Sequence, residues 1–159
     1  MKSVFLIRHG EAEFTGRGRG DHGRVLTDEG REQAARLGEL LADAGVQVVL
    51  ASSADRALQT ARGMRLPVAV EARDELYNAS TLGLLRTLAE LDDEVAVAAL
   101  VAHAPGVPAL VDELSGPASD AAAVALVRSH YPTATVARID FDGGWAELRD
   151  ARLVWADRG

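Results

Sequence analysis

There is no cysteine among the 159 residues. Disulfide scaffolds, thiolate metal sites and cysteine nucleophiles are thereby excluded together, and a reducing cytoplasm suits such a chain. Long apolar runs are missing too. Val4-Phe5-Leu6-Ile7 reaches only as far as Arg8, too short for a signal-peptide core or a membrane span. Positive charge is in deficit: 17 Lys and Arg against 24 Asp and Glu leave a net charge of -7. That balance disfavours a broad electrostatic grip on nucleic acid or an anionic membrane, so any bound anion belongs in a local site. No internal repeat and no linker interrupts the chain. What is present is 48% apolar residues, enough to bury a core, in a length that fits one compact domain over 1–159.

Short apolar runs alternate with amphipathic stretches, the pattern of an α/β domain. Val4 to Ile7 reads as a first strand. A Gly/Arg-rich segment from Thr15 to Arg24, with Gly16, Gly18, Gly20 and Gly23, reads as a mobile loop. Thr27 is an N-cap for a helix running to about Ala44, with Gly45 as its stop. Strands at Val46 to Ala51, Val68 to Val70 and Val95 to Ala102 are predicted, with helices after Ser53, over Thr81 to Leu91, from Pro105 to about Leu114, and over Ser119 to Ser129. Thr135 to Phe141 alternates as a strand, and Asp142-Gly143-Gly144 turns it back into Trp145 to Leu148. The expected architecture is three-layer α/β/α, with a mostly parallel central sheet and an antiparallel C-terminal strand pair.

Ligands of open α/β sheets gather at the carboxyl ends of the strands. Three inferred strand ends carry Arg8-His9-Gly10, Arg56 and His103. Two guanidiniums and two imidazoles, with no carboxylate pair or thiol beside them, suit a phosphoryl group whose oxygens accept planar Arg contacts. Helix starts after Ser53 and Ala104 would add backbone N–H donors. A neutral imidazole can attack phosphorus through Nε2 when a backbone carbonyl holds Nδ1–H, and nearby arginines disfavour its protonation. No metal is required, because the guanidiniums supply the positive charge. A single histidine or arginine at a strand end is usually structural; the combination is what points to chemistry.

On the segments Leu6-Ile7-Arg8-His9-Gly10, Leu26-Thr27 to Ala34, Arg56-Ala57-Leu58-Gln59-Thr60-Ala61 and Val101-Ala102-His103-Ala104-Pro105-Gly106, the chain resembles the histidine phosphatase superfamily, with its phosphoglycerate-mutase-like fold. Glu75 to Ser80 and Tyr131 to Trp145 are similar to the short SixA-type phosphohistidine phosphatase branch. The resemblance implies that His9 accepts the phosphoryl group while Arg8, Arg56 and His103 line its pocket, without metal or cofactor. It also offers Glu75, after the third strand, as a leaving-group acid, although Asp74-Glu75 can equally be a charged loop. Ala54 and Ala104 depart from the family's usual proline and asparagine without removing a catalytic group.

Little sequence lies between Arg56 and Glu75, or between Leu91 and His103, from which to build a cap over a small ligand. The leading expectation is therefore a phosphatase acting on phosphohistidine of a protein in the cytoplasm, with no nucleic-acid or membrane partner. The alternatives are a phosphomonoesterase for a small phosphorylated substrate and, from another class, a noncatalytic phosphate-binding signalling module.

Overall fold

The computed structural model describes residues 1–158. Among them are β1 (Lys2–Arg8), α1 (Asp28–Leu41), β2 (Val48–Ser52), α2 (Asp55–Gly63), β3 (Val70–Arg73), α3 (Thr81–Ala89), β4 (Val97–Ala102), α4 (Gly106–Leu114), α5 (Ala121–Ser129), β5 (Val136–Asp142) and β6 (Arg149–Asp157). The strands form one sheet in the order β3-β2-β4-β1-β5-β6. The first four in that order run parallel, β5 runs antiparallel to β1, and β6 runs antiparallel to β5. The α/β fold is the one expected from the sequence.

Strand periodicity assigns the two faces. On β1, Val4 and Leu6 pack with Leu84, Leu88, Val107 and Leu110 of α3 and α4, together with α5. Phe5 and Ile7 point the other way, against Leu37, Leu41, Ala57 and Ala61 of α1 and α2. Both faces of β1 are buried, which is why its sequence is a continuous apolar run rather than an alternation. At Gly38 an added Cβ would lie 2.0 Å from the Met64 carbonyl oxygen, so α1 and the end of α2 meet backbone to backbone.

Several boundaries differ from expectation: β2, β4 and α5 begin two residues later than expected, α3 ends two residues earlier, and three further differences bear on the fold. Helix α1 stops at Leu41, and residues 42–45 form turns before Gly45 at φ 74°. Strand β3 begins at Val70 rather than ending there. The second strand of the C-terminal pair is Arg149–Asp157, not Trp145–Leu148. Trp145 lies in the connecting loop and is buried all the same. Its Nε1–H donates to the Val95 carbonyl at 2.9 Å and its ring meets the edge of Phe141. The aromatic signal there came from a loop anchor, while β6 lies at the sheet edge with most of its residues partly exposed.

Strand order places the chemistry. Arg8 pairs with Ala102 at the carboxyl ends of β1 and β4, so His9 and His103 leave adjacent strands side by side. On the other flank of β4, β2 ends at Ser52, two residues before the N-cap of α2. Among the described residues no helix is long and apolar enough to cross a membrane.

Candidate active site

His9 is pinned through its backbone on both sides. Its N–H donates to Ala102 at 3.0 Å, and its carbonyl accepts from Ala134 N at 2.9 Å. The following residue must be glycine, because a Cβ there would sit 2.8 Å from the Gly30 carbonyl oxygen. Gly10 N–H donates to Thr60 Oγ1 at 2.9 Å, and that hydroxyl donates to the Arg56 carbonyl at 2.7 Å. One buried threonine on α2 thus couples the histidine loop to the turn bearing the second arginine.

His9 Nδ1 lies 2.7 Å from the Gly10 carbonyl oxygen. A carbonyl only accepts, so the proton is on Nδ1 and Nε2 carries a lone pair rather than a proton. Arg56 Nε–H points at that lone pair from 3.3 Å. Burial pushes the His9 imidazole down to about 4, with Arg56 and then Arg8 adding repulsion against the Gly10 hydrogen bond, which acts the other way. The sequence argument had credited the arginines alone; desolvation is the larger cause.

Arg56 is itself buried and held from the side away from His9. Its Nη1 donates to the Asp21 carbonyl at 2.8 Å and its Nη2 to Asp21 Oδ2 at 3.1 Å. Tyr77 O–H donates to the same Oδ2 at 2.6 Å. The Tyr77 and Arg24 hydrogen bonds, with Arg56, hold the Asp21 carboxyl well below the usual carboxylate range. The Gly/Arg-rich segment is therefore tied over the site rather than left loose, since His22 also meets Ser53 Oγ at 3.0 Å and stacks edge-on against Tyr77. Its glycines at Gly18 and Gly20 supply positive φ for tight turns.

His103 faces His9 with ring centroids 5.2 Å apart, and burial, then His9 and Arg56, push it down to about 3. Its Nε2 lies 2.8 Å from Ser52 Oγ. Arg8 Nη1 donates to the Tyr131 carbonyl at 3.0 Å. Among the described residues, four buried side-chain polar atoms have no partner, and two of them, Arg8 Nε and His103 Nδ1, belong to this site. Buried donors are normally paired, so this concentration marks a place suited to an acceptor-rich ligand.

Arg8, His9, Arg56 and His103 line one cleft of about 700 Å³ with Glu11 and Arg24. A second cavity of about 520 Å³ adjoins at His103 and is walled by Asn78, Ser80 and Thr81. Of the residues expected at the site, Glu75 is the one that does not line either space. Its exposed carboxylate is taken by Arg73 at 3.0 Å. Ser53 does not cap α2 either; Ala54 is the N-cap without a side-chain hydrogen bond, and Ala54 N–H donates to Ser52 Oγ at 3.2 Å. Sequence reasoning missed Asp21, Ser52, Thr60 and Tyr77. Thr60 stood inside the Arg56 motif, whereas Asp21 and Tyr77 arrive from loops and carry no local signal. Among the described residues no cluster of three or more His, Cys, Asp or Glu side chains is disposed to hold a metal ion.

Two imidazoles and two guanidiniums converge at the carboxyl ends of the sheet's parallel strands, an arrangement whose chemistry suits a phosphoryl anion. The profile of the Histidine phosphatase superfamily (branch 1) matches residues 4–95, and the chain belongs to that family and is a phosphatase by class. It superposes on a candidate phosphohistidine phosphatase SixA from Nakamurella multipartitia with a TM-score of 0.88, at 29% identity over 99% of this chain and 95% of that one. A SixA candidate from Agrobacterium tumefaciens gives 0.83, at 27% identity over 99% of both chains. An uncharacterized protein of Mycobacterium leprae is 28% identical over 84% of this chain and 86% of its own length.

Proposed function

We propose that the chain, acting as a single domain, removes phosphoryl groups from phosphohistidine of a protein substrate through a covalent intermediate on His9. The observation that carries this reading is the placement of the His9 ring, with Nδ1 on Gly10 O and an unprotonated Nε2 facing Arg56 Nε–H at 3.3 Å, in a site whose burial favours the neutral imidazole. Likeness to the SixA structures at 25 to 29% identity supports the substrate class.

In the first step the Nε2 lone pair attacks phosphorus of a phosphohistidine whose other ring nitrogen has taken a proton from solvent, the bond from phosphorus to the substrate nitrogen breaks, and the substrate leaves as neutral imidazole. Arg8, Arg56 and His103 donate to the phosphoryl oxygens as charge shifts onto them. In the second step water attacks the phosphohistidine, the bond to His9 Nε2 breaks, and inorganic phosphate leaves. A phosphoramidate nitrogen is easily protonated, so the reaction needs no strong enzyme acid. That accords with a Glu75 carboxylate engaged by Arg73. The absence of cysteine supports a cytoplasmic setting.

Rapid acid-free quenching during turnover should trap an alkali-stable, acid-labile phosphoenzyme. His9→Ala should abolish both adduct and turnover, and an unchanged adduct in that variant would reassign the nucleophile. One observation favours the second reading, a small-molecule phosphomonoesterase: the cavity beside His103 has room for a compact leaving group. A higher kcat/KM for sugar or glycerate phosphates than for a phosphohistidine protein would select it.

A further inference from the structure

The proposed chemistry requires His103 to donate a hydrogen bond to a phosphoryl oxygen, and an imidazole that stays neutral donates from only one of its two nitrogens. Which nitrogen carries the proton is therefore a functional question. Ser52, the fully buried last residue of β2, sits 2.8 Å from His103 Nε2 through its Oγ. The same oxygen accepts the Ala54 backbone N–H at 3.2 Å.

Resting on that reading of the site, we infer that Ser52 is a positioning residue that fixes His103 as its Nδ1–H tautomer. The hydroxyl has one proton to place, and among the described residues His103 Nε2 is its only acceptor. If Nε2 carried the proton instead, the Ser52 hydroxyl hydrogen would be buried without a partner, a costly arrangement. Nδ1 would also present a lone pair to phosphoryl oxygens that carry only lone pairs. With Ser52 donating to Nε2, both polar groups are satisfied and Nδ1–H is left as the donor. This nitrogen is the buried atom of His103 without a protein partner. The relay is short: the Ala54 N–H orients Ser52, Ser52 orients the proton of His103, and His103 addresses the phosphoryl group. It parallels the carbonyl of Gly10 acting on His9, so each histidine has its tautomer set by a different fixed group.

Long-range ¹H–¹⁵N spectra distinguish the tautomers at neutral pH without any reference to activity, and only four histidines need assigning. In the unmodified protein His103 should show a protonated Nδ1 and an unprotonated Nε2; the reverse pattern overturns the inference. In Ser52→Ala the His103 signals should move toward the Nε2–H pattern. The kcat for a phosphohistidine protein should then fall about tenfold with little change in KM, the factor expected when the competent form becomes the minor species. Ser52→Thr, which keeps the hydroxyl, should restore the Nδ1–H signature. The amide nitrogen of asparagine lies as many bonds from Cα as Nδ1 does, and that of glutamine as many as Nε2. His103→Asn should accordingly retain more activity than His103→Gln, and adding Ser52→Ala to His103→Asn should cost less than about twofold, as expected of two coupled positions. An undiminished tenfold loss in that background overturns the relay. Absence of turnover in the unmodified protein would count against the phosphatase reading, while the spectra would still decide the tautomer.

Discussion

Acidification tests the site at its most unusual property, a buried imidazole, the proposed nucleophile, that resists protonation. With the His9 imidazole pushed down to about 4, roughly nine tenths of it remains neutral at about pH 5, whereas an ordinary histidine titrating near 6.5 would retain only about 3%. The difference in available nucleophile is about thirtyfold. It should be read as the kcat/KM for an aryl phosphate, which reports ionisations of the free enzyme, alongside an NMR titration of the His9 ring. The same shift carries a stability consequence whose sign is fixed. The folded value lies below the unfolded one, so on acidification the unfolded chain takes up the proton first. The contribution is complete above about 6.5 and is lost as pH falls through about 4, amounting to about 3 kcal/mol for His9 alone. Because burial is the largest cause, Arg56→Ala should raise the midpoint only partway toward 6.5. A wild-type His9 that titrates between about 6 and 6.5, with kcat/KM falling alongside, would refute the account of why this imidazole is suited to be the nucleophile.

Arg56→Ala removes the buried guanidinium beside His9, the proposed donor to the phosphoryl group, and should lower kcat by about a hundredfold to a thousandfold, whereas Arg17→Ala, an exposed partner of Glu13, should leave steady-state rates within about twofold. Parity between the two would move the site. Glu75→Gln should change kcat/KM on phosphohistidine by less than about twofold, because it disturbs only an exposed pair with Arg73; a large loss would restore Glu75 as the proton donor. Gly38→Ala drives a methyl into the Met64 carbonyl and should cost about 1–3 kcal/mol of stability in a urea melt, without selective loss of kcat at a temperature where the protein stays folded.

Much of the site was legible because its residues are tied to strand ends. Buried apolar runs mark β1 and β4 unambiguously, and Arg8, His9 and His103 follow them directly. Helix α1 announced itself through Thr27, whose side chain accepts from Gly30 N–H. Other parts were illegible for physical reasons. Asp21 lies in a segment whose glycine content reads as looseness, and only the tertiary meeting of its carboxylate with Arg56 and Tyr77 makes it rigid. Ser52 and Ser53 are neighbours of one type, yet one is turned to His103 and the other to His22. Strand β6 shows little alternation because Arg149, Asp150 and Arg152 lie at the sheet edge, so the eye is drawn to Trp145 instead.

The placement of the two histidines just beyond adjacent interior strands has a thermal consequence. The His9 amide is bonded to Ala102 at the end of β4, and its carbonyl is held by Ala134, two residues before β5. Opening the histidine pair therefore means breaking hydrogen bonds beside the middle of the sheet, where local fluctuations give way to global unfolding. Fraying of the surface loops alone leaves these backbone ties in place, and the spacing of the pair has no melting transition separate from that of the sheet.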